Sequence, residues 1–417
     1  MPERFFQHTF SNGLTLLAQN MPGMQSAAMS FVIPAGVATD PAGSSGSAAV
    51  LSDWTLRGAG TRDSRALTDH LDLLGLQRSS SVGVYHLRYG CSAVAANVFK
   101  GLPIYADIAR RPQLPDVGFI AARDLALQAL AGIDDEPRQK LMIKLRQQHL
   151  PDPFGRNSMG NAEHLKALTA EHCRADQNRR FGARGAIISV AGNVVFEDLQ
   201  KIIEDQFGDW QPGTQDELRP TPKPGPTAHE HQDSEQTHIG IAYPSILETD
   251  PDYYVMRMAM EVLSGGMSGR LFTEVREKRG LVYNVHAGYT SLKGQGHVFG
   301  YAGTSNDRAQ ATLDTFLAEI NRLSDGVTAD ELFRAKIGLK ASTIMSEEST
   351  GSRAGAMAHD FFMRGRLRTL DEIKNAIDSV TLDQTNAWLK QHKPGPFTIV
   401  TVGPKELNIP KGTGEAS

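Results

Sequence analysis

Arg276 and Tyr283 flank a predicted chain reversal, and together they offer a planar fork of N–H donors and a phenolic hydroxyl. Two such side chains converging on one point can grip a peptide backbone. The stretch that carries them runs Leu263-Ser264-Gly265-Gly266-Met267-Ser268-Gly269-Arg270-Leu271-Phe272 and on through Arg276-Glu277-Lys278-Arg279-Gly280-Leu281-Val282-Tyr283. Gly265, Gly266 and Gly269 make a flexible turn, and Ser268 is placed as the N-cap of a helix that buries Leu271, Phe272 and Val275. Gly280 ends that helix, and Leu281-Val282-Tyr283 opens a strand. On local sequence alone an ordinary reading is favoured, in which Arg276 pairs with Glu277 or another surface acid and Tyr283 is a half-buried strand aromatic.

The chain has 417 residues, too many for one core, which suggests two domains. Its formal net charge of -4, with acids and bases interspersed, argues against a nucleic-acid or anionic-membrane partner. Cys91 and Cys173 are the only cysteines, too few for a disulfide framework, and are read as buried thiols. The segment Met1 to His8 has no apolar signal-like core and no long apolar run occurs elsewhere, so a soluble cytoplasmic protein is expected.

Along the chain, an Asn12-Gly13 turn precedes strands near Leu14 to Ala18 and Ala28 to Ile33, and a helix follows from about Ser45 to Leu56. Further helices are predicted over 63–74, 98–110 and 120–131, with strands between Val82 and Ala93, a strand at Ile187 to Gly192 and a closing helix to Gln206. His70 and His86 fall in these elements and read as surface or hydrogen-bonded residues. Residues 211–236, rich in Pro, Gly, Thr and charge, read as an interdomain linker, and His229-Glu230-His231 within it as solvated rather than metal-binding. The second half repeats the order of the first, with strands at His238 to Tyr243, Gly296 to Thr304 and Phe397 to Gly403. Helices are predicted over 252–263, 309–323, 328–345, 370–377 and 382–389, and the tail beyond Pro404 as frayed. The expected architecture is α+β: two similar rolls, 1–210 and 237–417, each a mainly antiparallel sheet packed against helices.

The run Gly265 to Phe272 followed by Arg276 to Tyr283 resembles the arginine/tyrosine segment of the pitrilysin/insulinase family of zinc peptidases, which includes the mitochondrial processing peptidase. The Pro/Gly loop at Leu150 to Arg156 and the Val-Ala-Gly strand end at Val190 to Gly192 resemble it too. The resemblance implies that Arg276 and Tyr283 hold substrate and help stabilise a tetrahedral intermediate. In the family a helix of the first half carries an inverted H-x-x-E-H zinc motif between a Gly-x-Ala start and a basic-Gly end. Here the frame is Gly46-Ser47-Ala48 and Arg57-Gly58, but Ala49, Ser52 and Asp53 stand where the first histidine, the glutamate base and the second histidine would be. The stretch Leu125 to Ala131, where the family has a further glutamate ligand, contains no carboxylate. No metal or other cofactor is therefore expected in this chain.

Three functions follow for comparison. The first is a non-catalytic, substrate-binding subunit that completes the active site of a two-chain metallopeptidase, with zinc in a homologous partner. The second is a structural or interaction subunit without proteolytic role, as the core subunits of some respiratory complexes resemble the family. The third, a self-sufficient hydrolase built on Ser52 and Asp53, has no neighbouring histidine to act as base and is disfavoured.

Overall fold

The apolar runs become two sheets with separate cores in a computed structural model that describes residues 4–214, 216–221 and 225–410. The strands in chain order are β1 (Phe5–Thr9), β2 (Thr15–Asn20), β3 (Ser26–Ile33), β4 (Gly58–Ala59), β5 (Arg62–Asp63), β6 (Gln77–Val82), β7 (Leu87–Val94), β8 (Ile187–Gly192), β9 (Thr227–His231), β10 (Gln236–Ser245), β11 (Asn284–Leu292), β12 (Gln295–Ser305) and β13 (Thr398–Gly403). The first helices are α1 (Ser47–Trp54), α2 (Ser64–Leu73), α3 (Ala95–Arg110), α4 (Asp116–Gly132), α5 (Pro137–His149), α6 (Ala162–Ala167) and α7 (Ala170–Arg180). They are followed by α8 (Phe196–Phe207), α9 (Tyr253–Ser264), α10 (Ala309–Asn321), α11 (Ala329–Glu347), α12 (Thr350–Arg364), α13 (Leu370–Ser379) and α14 (Leu382–Gln391).

The first sheet has the order β1-β2-β8-β3-β7-β6 and the second, read from its β9 edge, β9-β13-β10-β12-β11. From β2 onward the two match step for step, each beginning with a parallel pair and continuing antiparallel. The internal repeat expected from the sequence is thus a repeat of topology, and the class is α+β.

The compact units do not follow the simple halves 1–210 and 237–417. One comprises Met1–Gly132, Asp152–Thr221 and Ser346–Leu367, the other Ile133–Pro151, Pro222–Met345 and Arg368–Ser417. Helix α5 therefore belongs to the second unit, and α12 to the first. The reason is that each sheet has two apolar faces to bury. In the first unit Leu16, Phe31 and Tyr89 join a core with Val98 and Leu102 of α3, while Leu17, Val32, Ile187 and Ala191 turn the other way and meet Ala354, Met357 and Ala358 of α12. In the second, Ile239, Ile241 and Val298 pack with α9 and α10, and α5 lies on the opposite face. There Leu141 and Leu145 approach Gly240 so closely that a Cβ at Gly240 would stand 3.0 Å from Leu145.

Strand β9 corrects the reading of 211–236 as linker throughout. Its backbone pairs with β13, His229 Nδ1 lies 2.8 Å from Thr401 Oγ1, and Glu230 takes Lys140 at 2.7 Å and also Lys144, so His229-Glu230-His231 is a tied edge strand. The tail expected to fray is held as far as it is described. Leu407 and Ile409 pack on the second core, and Asn408 exchanges two hydrogen bonds with Gln310; residues 411–417 lie outside the described residues.

Polar groups fasten α5 as much as Leu141 and Leu145 do. Arg138 stacks on Tyr301 and Arg146 on Phe299, 4.9 and 5.0 Å from the ring centroids. His149, fully buried, lies 2.9 Å from Thr398 Oγ1 and 3.0 Å from His297. On the same sheet face burial holds His238 below its ordinary 6.5, and burial with the Arg138 guanidinium does the same for His286. Histidines kept neutral when folded but free to protonate when unfolded cost stability as pH falls through the unfolded value. The second unit is expected to lose thermal stability below about pH 6.5, the ordinary histidine value. Melting curves from neutral to mildly acid pH check this, and the loss should shrink in His238→Gln and His286→Gln.

Candidate functional site

Ala49, Ser52 and Asp53 share one partly exposed face of α1, because residues three and four apart are helix neighbours. Ala49 offers no donor atom. Ser52 Oγ donates to the Ala49 carbonyl at 2.8 Å, and Asp53 pairs with Arg57. Helix α4, packed against α1, presents Leu125 to Ala131 without a carboxylate. Zinc takes about four N, S or O donors, three of them from protein at a catalytic site. This face supplies one carboxylate, already engaged by a guanidinium, so its residues do not fit zinc. Among the described residues, no group of three or more His, Cys, Asp or Glu side chains is gathered as a metal site.

The frame around these positions has its own structural work. Asp40 accepts from the Gly46 and Ala48 N–H groups at 2.7 and 2.9 Å and meets Arg180 at 3.2 Å, both side chains fully buried. Arg180 also donates to Gly36 O and Thr39 Oγ1, each at 3.1 Å, and to Asp176, which accepts from Ser47 as well. Burial pushes the Asp40 carboxyl upward, while Arg180 and the two N–H donors pull against it. Gly46 sits at φ +110°, and a Cβ there would lie 2.6 Å from Leu165. The Gly46-Ser47-Ala48 start is thereby accounted for without a metal. Both cysteines are buried, and burial raises each thiol to about 12, far from a reactive thiolate.

In the second unit the Arg276 segment coils from Arg270 and opens into a π-helical turn over Phe272–Glu277, with Lys278 N–H bonded to Thr273 C=O at 3.0 Å. Ser268 is not its cap: the Gly269 carbonyl accepts the Thr273 N–H, and no side chain caps the turn. Gly280, at φ +58°, reverses the chain, and Leu281 N–H reaches back to Val275 C=O at 3.0 Å. The strand opens later than expected, at Asn284, after Tyr283 N–H has bonded Gly303 O at 3.1 Å. Of the three loop glycines only Gly266, at φ +119°, needs the left-handed region, whereas Gly265 and Gly269 admit close backbone approach.

Arg276 does not pair with Glu277, and Tyr283 is not half-buried. Tyr283 is 69% exposed, and the exposed Arg276 lays its guanidinium over Phe272, 4.9 Å from the centroid. Beside them, Glu274 takes Lys278 at 2.8 Å and Arg279 at 2.9 Å. Among the described residues no hydrogen bond or ion pair engages the Arg276 or Tyr283 side chain, and none joins the two. Both donors are presented outward.

Arg270 is the residue whose role sequence reasoning missed. Its side chain is 7% exposed, pairs with Glu331 at 2.7 Å and donates to the carbonyls of Gly326 and Arg322 at 2.8 and 3.3 Å. Glu331 also accepts the Thr328 N–H at 2.8 Å at the start of α11, so it does more than complement a helix dipole. Burial alone would raise the Glu331 carboxyl, but Arg270 and Thr328 bring it down to about 2. The available signal was an arginine directly before Leu271-Phe272 with an acid in the first turn of a later helix. Arg270→Met strands a carboxylate and two carbonyls and is expected to destabilise the second unit by about 3–5 kcal/mol, readable by urea denaturation. Protonating Glu331 removes the same pair, so its contribution should fade as pH falls from about 4.5 toward 2.

Comparison with known proteins gives matches over nearly the whole chain. Residues 15–159 match the family model described as insulinase (peptidase family M16), and residues 167–339 the one described as peptidase M16 inactive domain. A Rickettsia felis protein described as an uncharacterized zinc protease is 25% identical, the match spanning 98% of this chain and 99% of that one. A Bacillus subtilis protein of like description is 24% identical over 95% of this chain and 98% of its own. Among solved structures, a peptidase M16 inactive domain from Pseudomonas fluorescens shares the fold with a TM-score of 0.87 at 21% identity, covering 98% of this chain and 99% of that one. A protease from Helicobacter pylori gives 0.87 at 19%, covering 96% and 99%, and a chain of Complex III2 from Candida albicans 0.81 at 16%, covering 96% of each.

Proposed function

Because the chain belongs to peptidase family M16 while its α1 face does not fit zinc, we propose that it is the substrate-binding, active-site-completing subunit of a two-chain zinc metallopeptidase, working in the cytoplasm with a homologous zinc-bearing chain. One observation carries this reading. Arg276 and Tyr283 flank the Gly280 reversal as exposed donors without polar side-chain partners among the described residues, while Lys278 and Arg279 beside them are both taken by Glu274. Arg276 offers its fork to a substrate carbonyl, and Tyr283 its O–H to an oxygen that gains charge as a peptide bond is attacked. The relatives' description as zinc proteases agrees with peptide hydrolysis as the chemistry of the pair. Among the described residues no helix is long and apolar enough to cross a membrane.

The test mixes the purified chain with a zinc-motif homologue from the same source and follows peptide turnover. The chain alone should be inactive and should raise its partner's activity. Tyr283→Phe should lower kcat of the assembled pair by on the order of 10²-fold, as loss of one oxyanion donor does. Normal assembly with unchanged turnover for that variant would sink the active-site role and leave a structural subunit.

A further inference from the structure

The second unit holds a cavity of about 270 Å³ that none of the residues discussed so far needs. Its inner wall is buried and apolar, built from Met256, Met260, Val298, Leu323 and Leu389, with Ala259 the smallest side chain lining it. Its outer lining includes Ser245, Trp388, His392 and Lys393, the last two exposed. It lies near the start of β12, beside Val298, whereas Tyr283 is bonded to Gly303 near that strand's end. It is a second site, separate along the sheet from the Arg276 segment.

The lining decides what class of molecule fits. A volume of about 270 Å³ is just below the roughly 300–1,000 Å³ of drug-sized pockets, so the occupant is small. The apolar wall requires an aliphatic or aromatic body. No aspartate or glutamate lines the cavity, and the charge it carries is the Lys393 ammonium, which no carboxylate of this chain pairs among the described residues. His392 adds an imidazole, its ring stacked on Trp388 at 4.5 Å and its Nδ1 taken by the Trp388 carbonyl at 3.0 Å. An anionic head is therefore favoured at the open side and a cationic one opposed.

We propose that this cavity binds a small monocarboxylate with an apolar body, its chain between α9, β10, β12 and α14 and its carboxylate against Lys393. The site serves neither zinc nor the peptide held at Arg276 and Tyr283, and it stands whether or not the chain completes a peptidase.

Trp388 is the built-in reporter, because Trp54 and Trp210, the other two tryptophans, belong to the first unit. The experiment titrates the full chain with octanoate and follows tryptophan emission, with octanol and octylamine as neutral and cationic controls and Trp388→Phe to assign the signal. Octanoate should bind most tightly and octylamine least. Lys393→Met, at an exposed position, should weaken octanoate by roughly tenfold and leave octanol unchanged, as expected when one charge contact of a little over 1 kcal/mol is lost. Ala259→Leu should block all three ligands while circular dichroism stays native; if that variant does not fold, the Lys393 arm decides alone. Equal affinity for octanoate and octylamine, or octanoate binding indifferent to Lys393→Met, overturns the proposal.

Discussion

Each sheet of this protein has two faces to bury, and the helices next to it in sequence cover only one. That constraint organises the rest of the molecule. An antiparallel sheet can leave one face to water when that face is polar, but here Leu17, Val32, Ile187 and Ala191 point away from the first core and need cover of their own. The cover comes from α12, remote in sequence, and α5 does the same for the second sheet. The glycine at 240 and the small side chains Ala354 and Ala358 are what let these helices sit close.

A second theme is the separation of scaffold from chemistry at α1. The residues around its start form a buried ion network in which Asp40 and Arg180 satisfy backbone groups of the loop and of the helix entry. Removing either partner would leave a buried charge alone, which is far more costly than never having buried the pair. The three side chains on the open face carry no such duty. The Ser52 and Asp53 side chains bond only within four residues, to the Ala49 carbonyl and to Arg57, so the frame stands with a face that does not suit zinc.

At the other landmark, scaffold and chemistry are joined. Arg270 clamps the start of the segment to the loop before α11, the π-helical turn widens its middle, and Gly280 reverses its end. Two flexible side chains are thereby presented from a fixed backbone, so a ligand engaging them would have only the side chains left to order. The cavity beside Val298 lies in the same unit but is lined by none of the residues of that segment.

Much was legible in the sequence because local physics sets it. Apolar spacing announced α2 and α10, alternation announced β3 and β10, and with the family's frame laid on α1 the identities of Ala49, Ser52 and Asp53 left no histidine–glutamate zinc face there. Helix α5 was not legible: it docks through Arg138, Arg146 and His149 as much as through Leu141 and Leu145, so it has little apolar stripe to see. Strand β9 was hidden in a stretch of linker-like composition, since its pairing with β13 depends on backbone hydrogen bonds rather than side-chain pattern. The exposure of Arg276 and Tyr283 and the burial of Arg270 were likewise decided only by tertiary structure. All three are long polar side chains in one short segment, and only the partners brought from elsewhere in the chain distinguish an arginine that clamps from one that is free to bind.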